Sequence, residues 1–353
     1  MSEATRHKVV VQAPRGPSFD LGDDSYALER EALDPIGAEI VQVDASSAED
    51  FVAEAKDAQA VIARFRRINA DIIAGLDSCI VIGCGSVGTD TVDVDAATEA
   101  GIVVTNVPDV FIEEVADHAM TLILAAARRL NEMDRMVREE EWAQGRPTFV
   151  DIPRLWGRTL GLVSFGNVAR AVARRAKPFG FHVIAHDPYV SELEMTAEGV
   201  EPVSLGELLE RSDYVSLHAP LNDETRHMIG AAAFSAMKPS AVFVNTGRGP
   251  CVDEAALIAA LESGEIAAAA LDVLEVEPPD PQNPLLGMRN VILTPHVASA
   301  TSRMMPETRR RLGRELAAVL TGRWPRSCVN PTVLPKVPLQ RWQPIPMDRG
   351  PNR

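Results

Sequence analysis

Cysteine is scarce in this 353-residue chain. The four present, Cys79, Cys84, Cys251 and Cys328, share no metal-ligand or redox spacing, which argues against a disulfide framework or zinc knuckle and suits a reducing compartment. Basic residues are in deficit: 35 Lys and Arg stand against 50 Asp and Glu, a formal net charge of -15, so the clustered basic face of a nucleic-acid binder is not expected. No apolar run is long enough to span a bilayer, and the opening MSEATRHKVVVQAP lacks the apolar core of a signal peptide, so a cytoplasmic protein with no membrane partner is expected. Short-period repeats are missing too. His182 and His186 have the spacing of a helical metal pair, but they fall in an apolar strand without an HExxH glutamate, so no metal site is expected.

What is present is a large apolar fraction, 46% of residues, on a chain longer than one comfortable domain. Short β-branched runs (KVVVQ, AEIVQV, QAVIARF, CIVIG, GIVVTNV) alternate with helical stretches from Lys8 onward. A second series (TLGLVSF, HVIAHD, YVSLHA, AVFVNT, AAALDV, NVILTP) begins near Thr159. This is the pattern of an α/β protein with two doubly wound parallel sheets. Between the series, Val115, Ala119, Met120, Ile123, Leu124 and Ala127 recur at helical spacing, and one long helix is expected from Phe111 through the acidic run ending at Glu141. Another helix is expected over Pro306 to Leu320, returning to the first domain, with Gly322 as its stop. From Pro331 there are six prolines in 23 residues, and extended or disordered chain is expected.

The stretch GLVSFGNVA (161 to 169) stands where a glycine-rich nucleotide turn belongs, with Ser164 and Ala169 in place of two of its glycines. Gly166 keeps the position at which backbone approaches a pyrophosphate at a helix N-terminus. Ala169 adds little bulk to the helix–strand contact. Ser164 is expected to keep a negative φ, since a side chain disfavours the left-handed region. Asp187 ends the next strand, about 20 residues on, where a carboxylate accepts hydrogen bonds from ribose hydroxyls and repels a 2′-phosphate, favouring NAD over NADP. It also opens an Asp-Pro turn.

Three later segments, VNTGRGPCVDEAAL, ALDVLEVEPP and ILTPHVAS, each carry a polar group just past an apolar strand. Ligands of doubly wound sheets lie outside the carboxyl ends of strands, so Arg248, Glu277 and His296 are expected to converge on one crevice. Reduction of a keto acid needs its carboxylate anchored, hydride delivered to the carbonyl carbon and the oxygen protonated. A guanidinium fork suits the first task and an imidazole the last. Arg64, Arg66 and Arg67, after the strand QAVIA, form a basic cluster suited to solvent or to an extra anionic group on a substrate.

NTGRG, the DEAAL helix start, ALDV with the acid–proline pair at Glu277, and TPH occur in the order and spacing of the D-2-hydroxyacid dehydrogenase family, which the chain resembles over nearly its whole length. RAKPFGFHVIAHDPY, EEVADHA and GRWPRSCVN look closest to the branch that includes the C-terminal-binding proteins. The resemblance implies a Rossmann NAD-binding domain over 108–300 inserted into a flavodoxin-like substrate domain formed by 1–107 and 301–334, an active site in the cleft, a tail over 335–353 and a homodimer supported by the helix after Phe111. It implies His296 as general acid and base, Glu277 holding its ring, and Arg248 binding and polarising a small 2-keto or 2-hydroxy acid. It further implies substrate contacts from Ser86, Val87 and Gly88, and cofactor contacts from Asn167, Val168, His218, Thr246 and Asp272. The rival expectation is an NAD(H)-sensing corepressor-like binding protein. Against that rival, HVASATSRMM lacks the tryptophan those corepressors carry after their histidine.

Overall fold

The computed structural model describes residues 7–14 and 26–341. The chain forms two compact units, Met1–Val110 with Ser302–Arg353, and Phe111–Thr301.

In the first unit, β1 (His7–Gln12), β2 (Ala38–Val43), β3 (Ala60–Ile62), β4 (Val81–Gly83) and β5 (Val103–Thr105) pair in parallel in the order β2-β1-β3-β4-β5. That is the flavodoxin-like order. Val9, Val10 and Val11 are fully buried because helices cover both sheet faces, which is why the strand reads as an unbroken apolar run. The helix Met304–Leu320 lays Leu312, Leu316, Val319 and Leu320 into the core on one face, as their spacing anticipates. Gly83 makes room for it: a Cβ there would lie 2.6 Å from Leu312 Cδ1. Buried Arg309 anchors the same helix by donating from Nε to both carboxylate oxygens of Glu29, at 2.9 and 3.0 Å. Gly322 follows at φ 79 and ends it. The tail expected to be extended or disordered is described only as far as Arg341, and the rest lies outside the described residues. Its described part has no helix; the N–H groups of Lys336 and Gln340 donate to the carbonyls of Gly101 and Gly322.

In the second unit, β6 (Thr159–Val163), β7 (His182–His186), β8 (Glu201–Pro202), β9 (Tyr214–Leu217), β10 (Val242–Asn245), β11 (Ala268–Leu271) and β12 (Val291–Leu293) form a parallel sheet ordered β12-β11-β10-β9-β6-β7-β8. Strand order reverses at β6 and β9, the switch point of a Rossmann fold. β8 is a two-residue edge strand containing Pro202, too short for any alternation to announce. The single long helix expected after Phe111 is instead two, Ile112–Ala127 and Leu130–Arg138, broken where Arg129 takes φ 50. The first buries Ala116, Ala119, Met120, Leu122, Ile123, Ala126 and Ala127, while the second buries nothing. The break comes where burial stops, and Arg129 Nε donates to Glu132 at 2.8 Å just past it. Among the described residues no helix is long and apolar enough to cross a membrane, and no group of His, Cys, Asp and Glu is arranged to hold a metal ion.

Candidate active site

The β6 turn leads directly into the helix Asn167–Ala176, with Asn167 and Val168 as its first residues. Ser164 does not keep the negative φ expected of it; it lies at φ 72, a conformation that costs a residue bearing a Cβ roughly 1–2 kcal/mol. Asp187 offsets that cost. One of its oxygens accepts from the Ser164 hydroxyl at 3.1 Å and the Phe165 N–H at 2.8 Å, and the other from the Tyr189 N–H at 2.8 Å. The acid at the end of β7 thus braces the turn where glycine would need no brace. Gly166 has φ -77 and ψ -164, and a Cβ on it would meet no atom within 4 Å. Neither backbone nor packing demands a glycine there; what remains is clearance for an anion at the helix N-terminus. Ala169 is fully buried, and its side chain packs in the core of this unit.

Past β10, β11 and β12 the structure brings together the three groups expected to converge. His296 Nδ1 and Glu277 Oε2 are 2.7 Å apart, and the other Glu277 oxygen accepts from the Leu274 N–H at 3.0 Å. Because a carboxylate only accepts, Nδ1 carries the hydrogen and Nε2 is left as the exchangeable position. The Glu277 hydrogen bond raises the His296 pKa above its ordinary value, the Glu277 and Asp272 charges adding to this while burial and the Arg248 charge oppose it. Burial works to raise the Glu277 carboxyl, but its bonds from His296 and Leu274 and the charges of His296 and Arg248 outweigh this and hold it below the usual range. Arg248 is presented by a turn that Asn245 ties off: Asn245 donates to the Arg248 carbonyl at 3.1 Å and accepts from the Gly247 N–H at 2.9 Å.

Two contacts that the linear motif conceals set the spacing of this triad. Gly249 passes so close to the Glu277 loop that a Cβ would lie 1.8 Å from the Leu274 carbonyl oxygen. Glu275, adjacent in sequence to the site, is instead a brace: it exchanges backbone-to-carboxylate bonds with Glu254 at 3.0 and 3.1 Å and takes His227 Nε2 at 2.6 Å. Gly249 in NTGRG is the sequence feature that points toward the first contact, and the following Pro278 marks Glu277, but nothing in the sequence announces Glu275 as a brace.

The remaining cofactor candidates also lie at strand ends of this unit. His218 Nδ1 and Thr246 Oγ1 are buried without a hydrogen-bond partner among the described residues, and burial pushes the His218 pKa down to about 4. His218 Nε2 lies 3.0 Å from Ser216 Oγ. Asp272 is different, since its carboxylate is engaged by Thr294, Val297 and Ala298 and shapes the loop around His296. In the first unit, the loop Ser86–Gly88 follows β4. Its carbonyls accept from Val107 N–H, Asn106 Nδ2 and Ser86 Oγ, whereas its three N–H groups have no partner among the described residues. In the basic cluster, Arg66 is committed to structure, donating to Gln12 at 2.9 Å and to the Ala45 carbonyl at 2.5 Å.

Residues 120–298 match the family model for the D-isomer specific 2-hydroxyacid dehydrogenase NAD-binding domain. A glyoxylate reductase of Korarchaeum cryptofilum is 42% identical over 80% of this chain and 86% of its own length. A D-3-phosphoglycerate dehydrogenase of Methanocaldococcus jannaschii is 38% identical over 84% of this chain, which spans 56% of that protein. The crystal structure of a glyoxylate reductase from Paecilomyes thermophila superposes with a TM-score of 0.81 at 30% identity, covering 92% of this chain and 98% of that one. The family model covers half of the chain and these relatives extend over most of it: the chain belongs to the D-isomer specific 2-hydroxyacid dehydrogenases, enzymes that use a nicotinamide dinucleotide.

Proposed function

We propose that the chain reduces a small 2-keto acid, glyoxylate being the first to test, to its 2-hydroxy acid with NADH, and that His296 donates the proton. The observation that carries this reading is the 2.7 Å His296–Glu277 contact with Arg248 charge acting on both members. Glu277 favours the protonated ring and stabilises the imidazolium, so that Nε2 can donate as negative charge develops on the carbonyl oxygen. Arg248 binds the substrate carboxylate and polarises its carbonyl. The N–H groups of Ser86, Val87 and Gly88 share the carboxylate. The bound nicotinamide supplies the hydride. Gly166, Asn167 and Val168 receive its pyrophosphate, Asp187 its ribose, with preference for NAD over NADP, and His218, Thr246 and Asp272 lie nearer the nicotinamide.

In this reading residues 1–107 and 301–334 form the substrate domain, 108–300 the dinucleotide domain and 335–353 a tail. The partner is a second copy of the chain. The first helix after Phe111 spends its apolar residues on its own core, whereas beyond the break Val137, Trp142 and Val150 are 51, 78 and 75% exposed and line one groove, a patch suited to an interface. Four free thiols suit a cytoplasmic protein.

The test is turnover of a panel of 2-keto acids with NADH. His296→Ala should leave the NADH Kd near wild type and lower kcat by roughly two to four orders of magnitude. Unchanged kcat removes His296 from the mechanism, and NADH binding without turnover of any keto acid by the wild type would favour the sensing protein instead.

A further inference from the structure

Behind the His296 loop lies a polar chain, buried at Asp272, with one end on another element. Asp272, 2% exposed, accepts from the Thr294 hydroxyl at 2.6 Å and the Val297 N–H at 2.9 Å through one oxygen, and from the Ala298 N–H at 2.9 Å through the other. Its backbone carbonyl accepts the His296 N–H at 2.8 Å. His118, on the helix Ile112–Ala127, places Nε2 3.0 Å from Thr294 Oγ1 and 3.5 Å from the Asp272 carboxylate. The single hydroxyl proton of Thr294 goes to Asp272, which can only accept. The Thr294 oxygen is therefore the acceptor for His118, and His118 Nε2 must carry the hydrogen. Every bond from His118 through Thr294 to Asp272 then has one possible direction.

His296 itself lies at φ 52. A side-chain-bearing residue is held in that region only where its surroundings over-determine it. Asp272, Thr294 and the two N–H groups after His296 supply that determination, and His118 ties the set to a helix whose neighbouring residues, Ala119 and Met120, are buried in the core. We propose that His118 is a positioning residue for His296: acting through Thr294 and Asp272, it holds residues 294–298 in the conformation that keeps the imidazole on Glu277. The proposal rests on the reading of His296 as proton donor. The charges acting on the His296 ring are those of Glu277, Arg248 and Asp272.

The test compares the full chain with His118→Leu, His118→Gln, Thr294→Val and His296→Ala, measuring kcat, KM, NADH Kd and the pH profile of glyoxylate reduction, or of the fastest keto acid in the panel. His118→Leu and Thr294→Val should each lower kcat on the order of 10²-fold, the effect of displacing a reacting group by about an ångström, with NADH Kd unchanged. Both should also move the alkaline limb to lower pH, because a ring released from Glu277 loses the bond that raises its pKa. His118→Gln, whose amide N–H replaces Nε2–H, should keep the wild-type rate and limb. A limb at the wild-type pH in His118→Leu and Thr294→Val overturns the proposal even if kcat falls, and so does a Gln variant as impaired as Leu. Thr294→Val, nearly isosteric, decides the matter should His118→Leu not fold. Retained turnover in His296→Ala would overturn the reading of His296 itself, whatever the other variants do.

Discussion

Glu277→Gln removes one negative charge from the candidate site and little volume. Two unit charges about 4 Å apart interact by about 4 kcal/mol at an effective dielectric of ~20. The His296 and Glu277 side chains are 48 and 36% exposed. Solvent screening at that exposure reduces the interaction to about 1 kcal/mol at most, so the limb of the pH profile moves by about one pH unit or less at 1.36 kcal/mol per unit. The Arg248 charge, which already opposes the raised His296 pKa, is left without its counterweight and acts in the same direction. The sign follows from which form works. Reduction needs the imidazolium, so its rate is full below the His296 pKa and is lost as pH rises through it; oxidation needs the neutral ring and is gained over the same interval. Glu277→Gln should therefore move the alkaline limb of keto-acid reduction, and the acidic limb of hydroxy-acid oxidation, down by about one pH unit or less. The assay is NADH absorbance followed in both directions from pH 5 to 10 at saturating substrate. Limbs that stay at the wild-type pH would refute the assignment of Glu277 as the group that holds the proton on His296.

Gly249→Ala and Gly166→Ala make a paired test, because the two glycines face opposite surroundings. The first places a methyl group 1.8 Å from the Leu274 carbonyl oxygen and should lower stability by about 1–3 kcal/mol, with kcat falling as the Arg248 turn and the Glu277 loop part; an unchanged Tm would show that the close approach is not needed. The second places a methyl group in open space and should leave the Tm alone while weakening NADH binding in a titration, and unaltered affinity would show that no pyrophosphate approaches there. Asp187→Ala should lower the Tm through loss of the brace on Ser164 and reduce the preference for NAD over NADP. An unchanged cofactor ratio would leave Asp187 with the structural role alone.

The two-sheet α/β class and most of the order of strands and helices were readable from the chain alone, because they are written in local periodicity: unbroken apolar runs for strands covered on both faces, and helical spacing of Leu312, Leu316, Val319 and Leu320. The family was readable from a different signal, the motifs NTGRG, ALDV and TPH in their order along the chain. The convergence of Arg248, Glu277 and His296 was readable for a related reason, since a polar group just past a strand of a doubly wound sheet has few places to point. Contacts between distant segments were not. Ser164 adopts a left-handed backbone because Asp187, a strand away, accepts its hydroxyl and the next N–H; Gly249 is required because Leu274 crosses it; Glu275 braces Glu254 and His227; and the helix after Phe111 breaks at Arg129 where burial of its residues stops. His118 reaches Thr294 and Asp272 only through the packing of its helix. Local propensity depends on a residue and its neighbours in the chain, whereas hydrogen-bond direction, close approach and left-handed strain depend on atoms that only tertiary packing brings together.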